Sequence, residues 1–112
     1  MSDLLKVVVK AMDERLAEDI VVLDFQNQSP FCDYFVIGSA LNHRMAKSII
    51  DRIEEKVIAS GGSIRAIEGN EDSAWQLIDC NGIIAHVFVD GEREVYQLEK
   101  LWGDLPRVEV AI

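Results

Sequence analysis

The sequence predicts an α/β fold, a mixed sheet of about five strands with flanking helices. Three observations favour this class. The 112 residues suit one domain with one core, and 49% of them are hydrophobic, which is typical of a packed interior. Helix-like and strand-like segments also follow one another without a repeat or a low-complexity linker. We therefore expect residues 1–112 to form a single domain.

The chain is predicted to begin with an amphipathic helix followed by a buried strand. Over residues 3–17, apolar side chains recur at helical spacing, and Ser2 is the expected N-cap. β-branched residues lower the helix propensity of this segment, but the periodicity outweighs them. Residues 19–25 are mostly apolar, a pattern that is typical of a strand buried on both faces.

A second strand and a long helix follow a polar, turn-like segment. Residues 34–37 are apolar and predict the strand, which we expect Gly38–Ser39 to end. Residues 42–60 carry one apolar stripe at helical spacing and predict the helix. Asn42 is its expected N-cap, and the two glycines at 61–62 are its expected stop.

The second half of the chain predicts an edge strand and then a hairpin. Residues 63–68 indicate a third, weaker strand. Residues 74–80 and 83–89 flank Asn81–Gly82, a pair that readily adopts the positive φ angles of a type I′ turn. Such a turn allows one register, with Trp75 opposite Phe88. One face then carries Trp75, Leu77, Asp79, Ile84, His86 and Phe88, and the other carries Gln76, Ile78, Cys80, Ile83, Ala85 and Val87.

The last predicted elements are a helix and a short tail. The helix covers about residues 91–101, with Asp90 as its cap and with Gly103 and Pro106 beyond its end. Residues 108–112 form an apolar tail. The predicted order is therefore helix, strand, strand, helix, three strands and a final helix.

The composition limits the classes of partner. Twenty acidic and eleven basic residues give a formal net charge of −9. Proteins that grip nucleic acid through its phosphates need a positive surface, so we do not expect nucleic acid as the main partner. A partner with a basic face is compatible with this charge. Ordinary acidity for solubility is the alternative explanation.

Cysteine usage and hydropathy favour a soluble, cytoplasmic protein. Cys32 and Cys80 are too few and too far apart for a disulfide framework or a zinc ribbon, so we expect free thiols in a reducing cytosol. The first residues lack the basic and apolar regions of a signal peptide. No apolar run approaches the ~20 residues that span a bilayer, and we expect no membrane partner.

The residue types offer little catalytic chemistry. A nucleophile needs a base in reach, but His86 and Cys80 are predicted to lie on opposite faces of the hairpin. No closely spaced set of His, Cys, Asp and Glu predicts a metal site, and we expect no cofactor. Gly38–Ser39 is the one enzyme-like element, because nucleotidyltransferases hold a triphosphate with a Gly-Ser near a helix N-terminus. The strand expected to supply paired carboxylates for magnesium lacks them, so a nucleotide-dependent enzyme is only an alternative.

Short blocks spread over residues 3–110 carry a family resemblance. They are residues 19–24, 33–37, 42–44, 54–56, 68–69, 75–79 and 86–88, and in the closing segment Arg93, Tyr96, Leu98, Glu99, Leu101, Trp102, Asp104 and Pro106. In this order they resemble the Iojap, or RsfS, family of ribosomal silencing factors. No single block is decisive, but the ordered set is specific.

The resemblance implies both a fold and a function. The implied fold is related to that of the nucleotidyltransferases, without their catalytic carboxylates. Members of the family bind ribosomal protein fourteen of the large subunit, on the face that meets the small subunit. Bound there, they prevent subunit joining and repress translation under nutrient limitation. The resemblance thus implies a regulator and not an enzyme, and a general protein-interaction module is the other alternative.

We expect the partner-binding surface on the hairpin and the last helix. Trp75 is the predicted anchor, because tryptophan is frequent at binding hot spots and this one is expected to be partly exposed. Asp79 and Glu99 are the predicted charge partners of lysine or arginine on the ribosomal protein. Trp102 suits the core and an interface equally, and an exposed apolar patch would permit a homodimer. The predicted surface consists of Trp75, Asp79, Cys80, Asn81, Tyr96 and Glu99.

Overall fold

The computed structural model of the chain describes residues 3–25, 32–70, 72–89 and 106–108. Both helices and all six strands named here lie within these ranges. In chain order they are α1 (Asp3–Glu14), β1 (Glu18–Asp24), β2 (Tyr34–Ala40), α2 (His43–Ala59), β3 (Ala66–Glu68), β4 (Trp75–Asp79), β5 (Ile83–Val89) and β6 (Arg107–Val108).

The six strands form one mixed sheet in the order β3-β4-β5-β2-β1-β6. β2 and β5 are parallel neighbours at its centre, and the other neighbouring strands pair antiparallel. This arrangement confirms the predicted α/β class. The sheet has a sixth strand where only an apolar tail was expected, because Arg107 and Val108 pair with Leu23 and Val22 of β1. The relation to nucleotidyltransferases stays a prediction.

The main core lies between one face of the sheet and the two helices, and we call this the helix face. Helix α1 contributes a buried stripe that includes Leu5, Val8 and Met12, as its helical spacing predicts. Helix α2 contributes a second buried stripe, and alternate side chains of the central strands pack against both helices. The buried sheet residues of this core are Val22, Val36, Ala40, Ile78, Cys80, Ile83, Ala85, Val87 and Val89.

Helix α1 ends at Glu14, earlier than the predicted boundary at residue 17. Leu16 has a φ of 65°, in the left-handed region, and its amide donates to the carbonyl of Asp13 over 2.9 Å. The amide of Ala17 then donates back to the carbonyl of Met12 over 3.0 Å. These two hydrogen bonds satisfy carbonyls of the last helical turn, which have no partner within the helix. Residues 15–17 therefore lie outside the helix.

Strand β2 continues through Gly38 and Ser39, so the prediction that this pair ends the strand was wrong. Gly38 pairs with Val87 and Ser39 with Phe88 of the parallel strand β5. A Cβ atom on Gly38 would lie 2.7 Å from Cε of Met12 and 3.4 Å from Cβ of Ala17. The glycine therefore allows α1 to approach the sheet closely, and its place in the sequence reflects packing.

The long helix α2 confirms both of its predicted ends. Asn42 has extended backbone angles, and its side-chain oxygen accepts from the amide of Met45 over 2.8 Å, as an N-cap should. At the other end Ser60 caps the helix, and Gly61 follows with a φ of 92°. A positive φ at this place favours glycine, which explains the stop signal.

The hairpin of β4 and β5 has the predicted register. Trp75 pairs with Phe88, Leu77 with His86 and Asp79 with Ile84. Asn81 and Gly82 have φ angles of 59° and 114°, and the amide of Cys80 donates to the carbonyl of Ile83 over 2.8 Å. Strand β3 lies at the sheet edge as predicted, but only residues 66–68 of the expected 63–68 form it.

Other predictions fall outside the described residues. They concern the Ser2 cap, the last helix with its Asp90 cap, and most of the tail. Within the described ranges, neither helix is long and apolar enough to cross a membrane.

Candidate functional site

The face of the sheet opposite α1 and α2, which we call the second face, carries Trp75 and Asp79, two of the four hairpin residues of the predicted site. Leu23, Ile37 and Phe88 are completely buried there, and Val21, Phe35 and Trp75 pack against them. At one end of this face, Phe25 and Cys32 pack with Phe35 and Ile84. The second face is therefore apolar at its centre, with aromatic side chains on β2, β4 and β5 and with the polar groups of Asp79 and His86 on β4 and β5.

Trp75 is partly buried and is held by two neighbours on β5. Its Nε1–H donates to Nδ1 of His86 over 3.1 Å. Its ring stacks on that of Phe88, with centroids 5.2 Å apart and an angle of 28° between the planes. Cross-strand aromatic pairs of this kind stabilise a sheet, so the proposed anchor is also part of the packing of the hairpin.

His86 is buried in this cluster, with 4% of its surface exposed. Burial lowers the pKa of its imidazole from 6.5 to about 4, so the ring is neutral at neutral pH. Because Nδ1 accepts the indole proton, the single proton of the neutral ring must be on Nε2. Nε2 is itself buried, and it has no hydrogen-bond partner in the described structure.

Asp79 and Asn81 form a hydrogen-bonded group at the turn end of the hairpin. Oδ1 of Asp79 accepts from the amide of Asn81 over 2.9 Å. The Asn81 side chain donates from Nδ2 to Oγ of Ser63 over 2.6 Å and to the Ser63 carbonyl over 3.3 Å. Asn81 thus ties the turn to the segment before β3, while its side chain stays exposed.

Cys80 does not complete the predicted surface. Its side chain points to the helix face, where only 1% of the residue is exposed. Burial, with a smaller contribution from the charge of Asp79, raises the pKa of the thiol from 9.0 to about 12. A side chain enclosed in the core cannot contact a partner, so we exclude Cys80 from the surface. The prediction that Cys80 and His86 lie on opposite faces is confirmed.

The structure adds two residues to the candidate surface. Leu77 lies between Trp75 and Asp79 on the second face and is partly exposed. Glu68 of β3 pairs with Leu77, so its exposed carboxylate borders the same strip. The hairpin register already indicated the face of Leu77, but Glu68 could not be found because a short edge strand carries no register signal. We call Glu68, Trp75, Leu77 and Asp79 the β4 surface.

Two residues of the predicted site, Tyr96 and Glu99, lie outside the described residues, as does Trp102. Their place relative to the β4 surface stays a prediction. Of the predicted set, the structure brings Trp75 and Asp79 together on one face, joins Asn81 to Asp79 at the turn, and separates Cys80 from all three.

A different depression, of about 460 Å³, lies beside the first turns of α2. Arg44 and Lys47 supply positive charge there, but Asp51 and Asp72 line the same depression. Lys47 also forms an ion pair with Asp51. The fixed charges of these four side chains cancel, which is a poor match to a triphosphate. The described lining of this depression does not include Gly38 or Ser39, the pair that suggests a phosphate site in the sequence.

Comparison with known proteins identifies the family. The family model described as "Ribosomal silencing factor during starvation" (RsfS) matches residues 1–112. The chain belongs to this family. It is 35% identical over 107 residues to the ribosomal silencing factor RsfS of Bacillus subtilis, covering 96% of this chain and 91% of that protein. The predicted resemblance to the RsfS family is thereby confirmed.

Two further proteins show the extent of the likeness. A crystal structure of a Bacillus halodurans protein superposes with a TM-score of 0.85 at 34% identity, covering 96% of this chain and 98% of that one. The mouse protein named mitochondrial assembly of ribosomal large subunit protein 1 is 29% identical over 99 residues, covering 85% of this chain. That match covers 43% of the mouse protein, so the RsfS-like region is under half of its length.

Proposed function

We propose that this RsfS family member is a cytoplasmic regulator that binds the large ribosomal subunit through its ribosomal protein fourteen. By occupying that site it blocks association with the small subunit and represses translation under nutrient limitation. The observation that carries the proposal is the family match over residues 1–112. The name of the mouse relative, which refers to the ribosomal large subunit, supports the choice of subunit.

The chemistry of the β4 surface supports a protein partner with a basic face. Glu68 lies opposite the partly exposed Leu77, and Trp75 and Asp79 lie on either side of Leu77 along the same face of β4. A surface that carries both a tryptophan and carboxylates suits a basic protein partner, because the ring contributes buried area and the charges speed the encounter. The net charge of −9 acts in the same direction at longer range.

Repression by occlusion requires affinity and bulk, and it needs no catalytic step. The chain measures 33 × 33 × 25 Å along its principal axes. Surfaces must approach within about 4 Å to be in contact, so a bound body of this size would hold two subunit faces apart. We therefore propose that the protein acts as a steric block and not as an enzyme.

The test uses purified ribosomal subunits. The protein is mixed with large subunits at low salt and sedimented through a sucrose gradient, and subunit joining is followed separately by light scattering. We expect co-migration with the free large subunit, no co-migration with the small subunit, and a loss of joining as the protein concentration rises. Absence of the protein from the large-subunit peak would overturn the proposal. Co-migration without inhibition of joining would refute the occlusion mechanism alone.

Two controls define the partner. Large subunits stripped of ribosomal protein fourteen should lose the bound protein, and adding that ribosomal protein back should restore it. Binding that survives the stripping would point to another component of the subunit. A general interaction module, the remaining alternative, predicts no enrichment on large subunits in either preparation.

A further inference from the structure

His86 is buried among aromatic rings, and it also accepts a hydrogen bond from Trp75. Packing alone does not require the second feature. Its ring is 4% exposed and lies beside Phe35, at 4.5 Å between centroids, and Phe88, at 6.5 Å. An apolar aromatic side chain would suit such a place. Instead, Nδ1 accepts the indole proton of Trp75, and this places the imidazole proton on Nε2.

That tautomer has an energetic consequence. The buried Nε2–H finds no acceptor among the residues that the structure describes. Leaving a buried donor without a partner is unfavourable, and such groups in native proteins mark stored strain or a functional role. The compensating contact is the hydrogen bond that Nδ1 accepts from the indole of Trp75, a half-buried residue. The histidine thus does more for the position of Trp75 than for the stability of the core.

We propose that His86 is a positioning residue that holds the indole of Trp75 in one orientation for docking to a basic protein partner. This inference rests on the proposed function, because it assigns a role to Trp75 in binding. The hydrogen bond to His86 and the stacking on Phe88 together restrict both side-chain torsions of Trp75. A side chain ordered before binding loses less entropy when the complex forms, which raises affinity without a new contact.

Two substitutions test separately the contribution of the His86 ring and that of its acceptor atom, Nδ1. His86→Phe keeps an aromatic ring and removes both the acceptor and the unpaired Nε2–H. His86→Asn loses the ring but keeps an acceptor oxygen at the position of Nδ1. Ile53→Val is the matched control for stability, because Ile53 is fully buried in the core on the helix face.

The first measurement is made on the free protein and needs no ribosome. The indole ¹H–¹⁵N cross-peak of Trp75, assigned by its loss in Trp75→Phe, reports the hydrogen bond. We expect this peak to shift in His86→Phe and to return towards its wild-type position in His86→Asn. In the wild type, ¹⁵N spectra of the imidazole should show the proton on Nε2. An unchanged indole peak in His86→Phe, or a proton on Nδ1, would overturn the proposal.

The second measurement compares stability with affinity for large subunits. We expect His86→Phe to be at least as stable as the wild type in urea and yet to bind roughly two- to tenfold more weakly, the range for ordering one side chain. Ile53→Val should lose stability and keep its affinity. Equal affinity of a stable His86→Phe protein contradicts the proposal. A loss of affinity that only tracks lost stability contradicts it as well. Failure of the wild type to bind would refute the proposed function, while the indole result would stand.

Discussion

Gly38 of β2 lies so close to Met12 of α1 that a Cβ atom would come within 2.7 Å of the Met12 Cε atom. Met12 is fully buried, so its side chain has little room to move away. We predict that Gly38→Ala lowers the free energy of unfolding by about 1 kcal/mol and that Gly38→Val lowers it by about 3 kcal/mol, as expected for overpacking. Urea titration of both variants provides the measurement. Adding Met12→Ala to Gly38→Val should recover part of the loss, and strict additivity would show that the two residues are not coupled.

The buried His86 predicts how stability depends on pH. Its folded-state pKa of about 4 lies below the ordinary value of 6.5, so the unfolded chain binds the proton more readily. Stability should therefore fall as the pH drops from 6.5 to 4, and this contribution should level off below pH 4. The shift corresponds to about 3 kcal/mol over that range. Urea titrations from pH 7 to pH 4 measure how the free energy of unfolding changes with pH. The difference between the wild type and His86→Phe gives the contribution of the histidine. Identical pH profiles for the two proteins would contradict the assignment.

Trp75 is predicted to be the anchor of the β4 surface. Trp75→Ala should weaken binding to large subunits at least ~30-fold, the loss expected for an anchor worth ~2 kcal/mol. The substitution also removes the stack on Phe88, so it should lower stability, and binding must be measured where circular dichroism shows a folded variant. Trp75→Phe keeps the stacking and should lose less affinity. Unchanged binding of a folded Trp75→Ala protein would place the anchor elsewhere.

The two carboxylates of the β4 surface are predicted to act mainly on the rate of association. Glu68→Gln with Asp79→Asn should slow binding to large subunits, and the effect should shrink as salt is added. Asp13→Asn with Glu55→Gln removes the same charge from exposed residues of α1 and α2. Stopped-flow kinetics at low and high salt compares the two pairs. Equal slowing by both pairs would show that only the net charge matters.

Nucleoside triphosphate with magnesium is predicted not to bind. Gly38 and Ser39 are strand residues, and the depression beside α2 is lined by two carboxylates, Asp51 and Asp72, as well as by Arg44 and Lys47. Isothermal calorimetry with ATP and GTP, each with magnesium, should show only heats of dilution. Saturable binding would revive the nucleotide-dependent alternative. Arg44→Ala would then show whether the depression beside α2 is the site.

Much of the fold was predictable because its signals are local. The Asn42 cap, the Gly61 stop and the Asn81–Gly82 turn each depend on the conformation of a few neighbouring residues. The turn then determines the hairpin register and places Trp75 and Asp79 on one face. Alternation along β4 likewise assigns Cys80 to the helix face, although it does not show that Cys80 is enclosed there.

Other features depend on contacts between segments that are distant in the chain, and local patterns carry no information about them. The pairing of β6 with β1 brings Val108 beside Val22, and the short β3 brings Glu68 beside Leu77. Gly38 fits a phosphate-binding pattern in the sequence, but in the folded chain it lies against Met12 of α1. The tautomer of His86 likewise depends on an indole donated across the hairpin. Periodicity and turn chemistry therefore determined the elements, whereas three-dimensional packing decided which side chains are enclosed, which remain exposed and which act together.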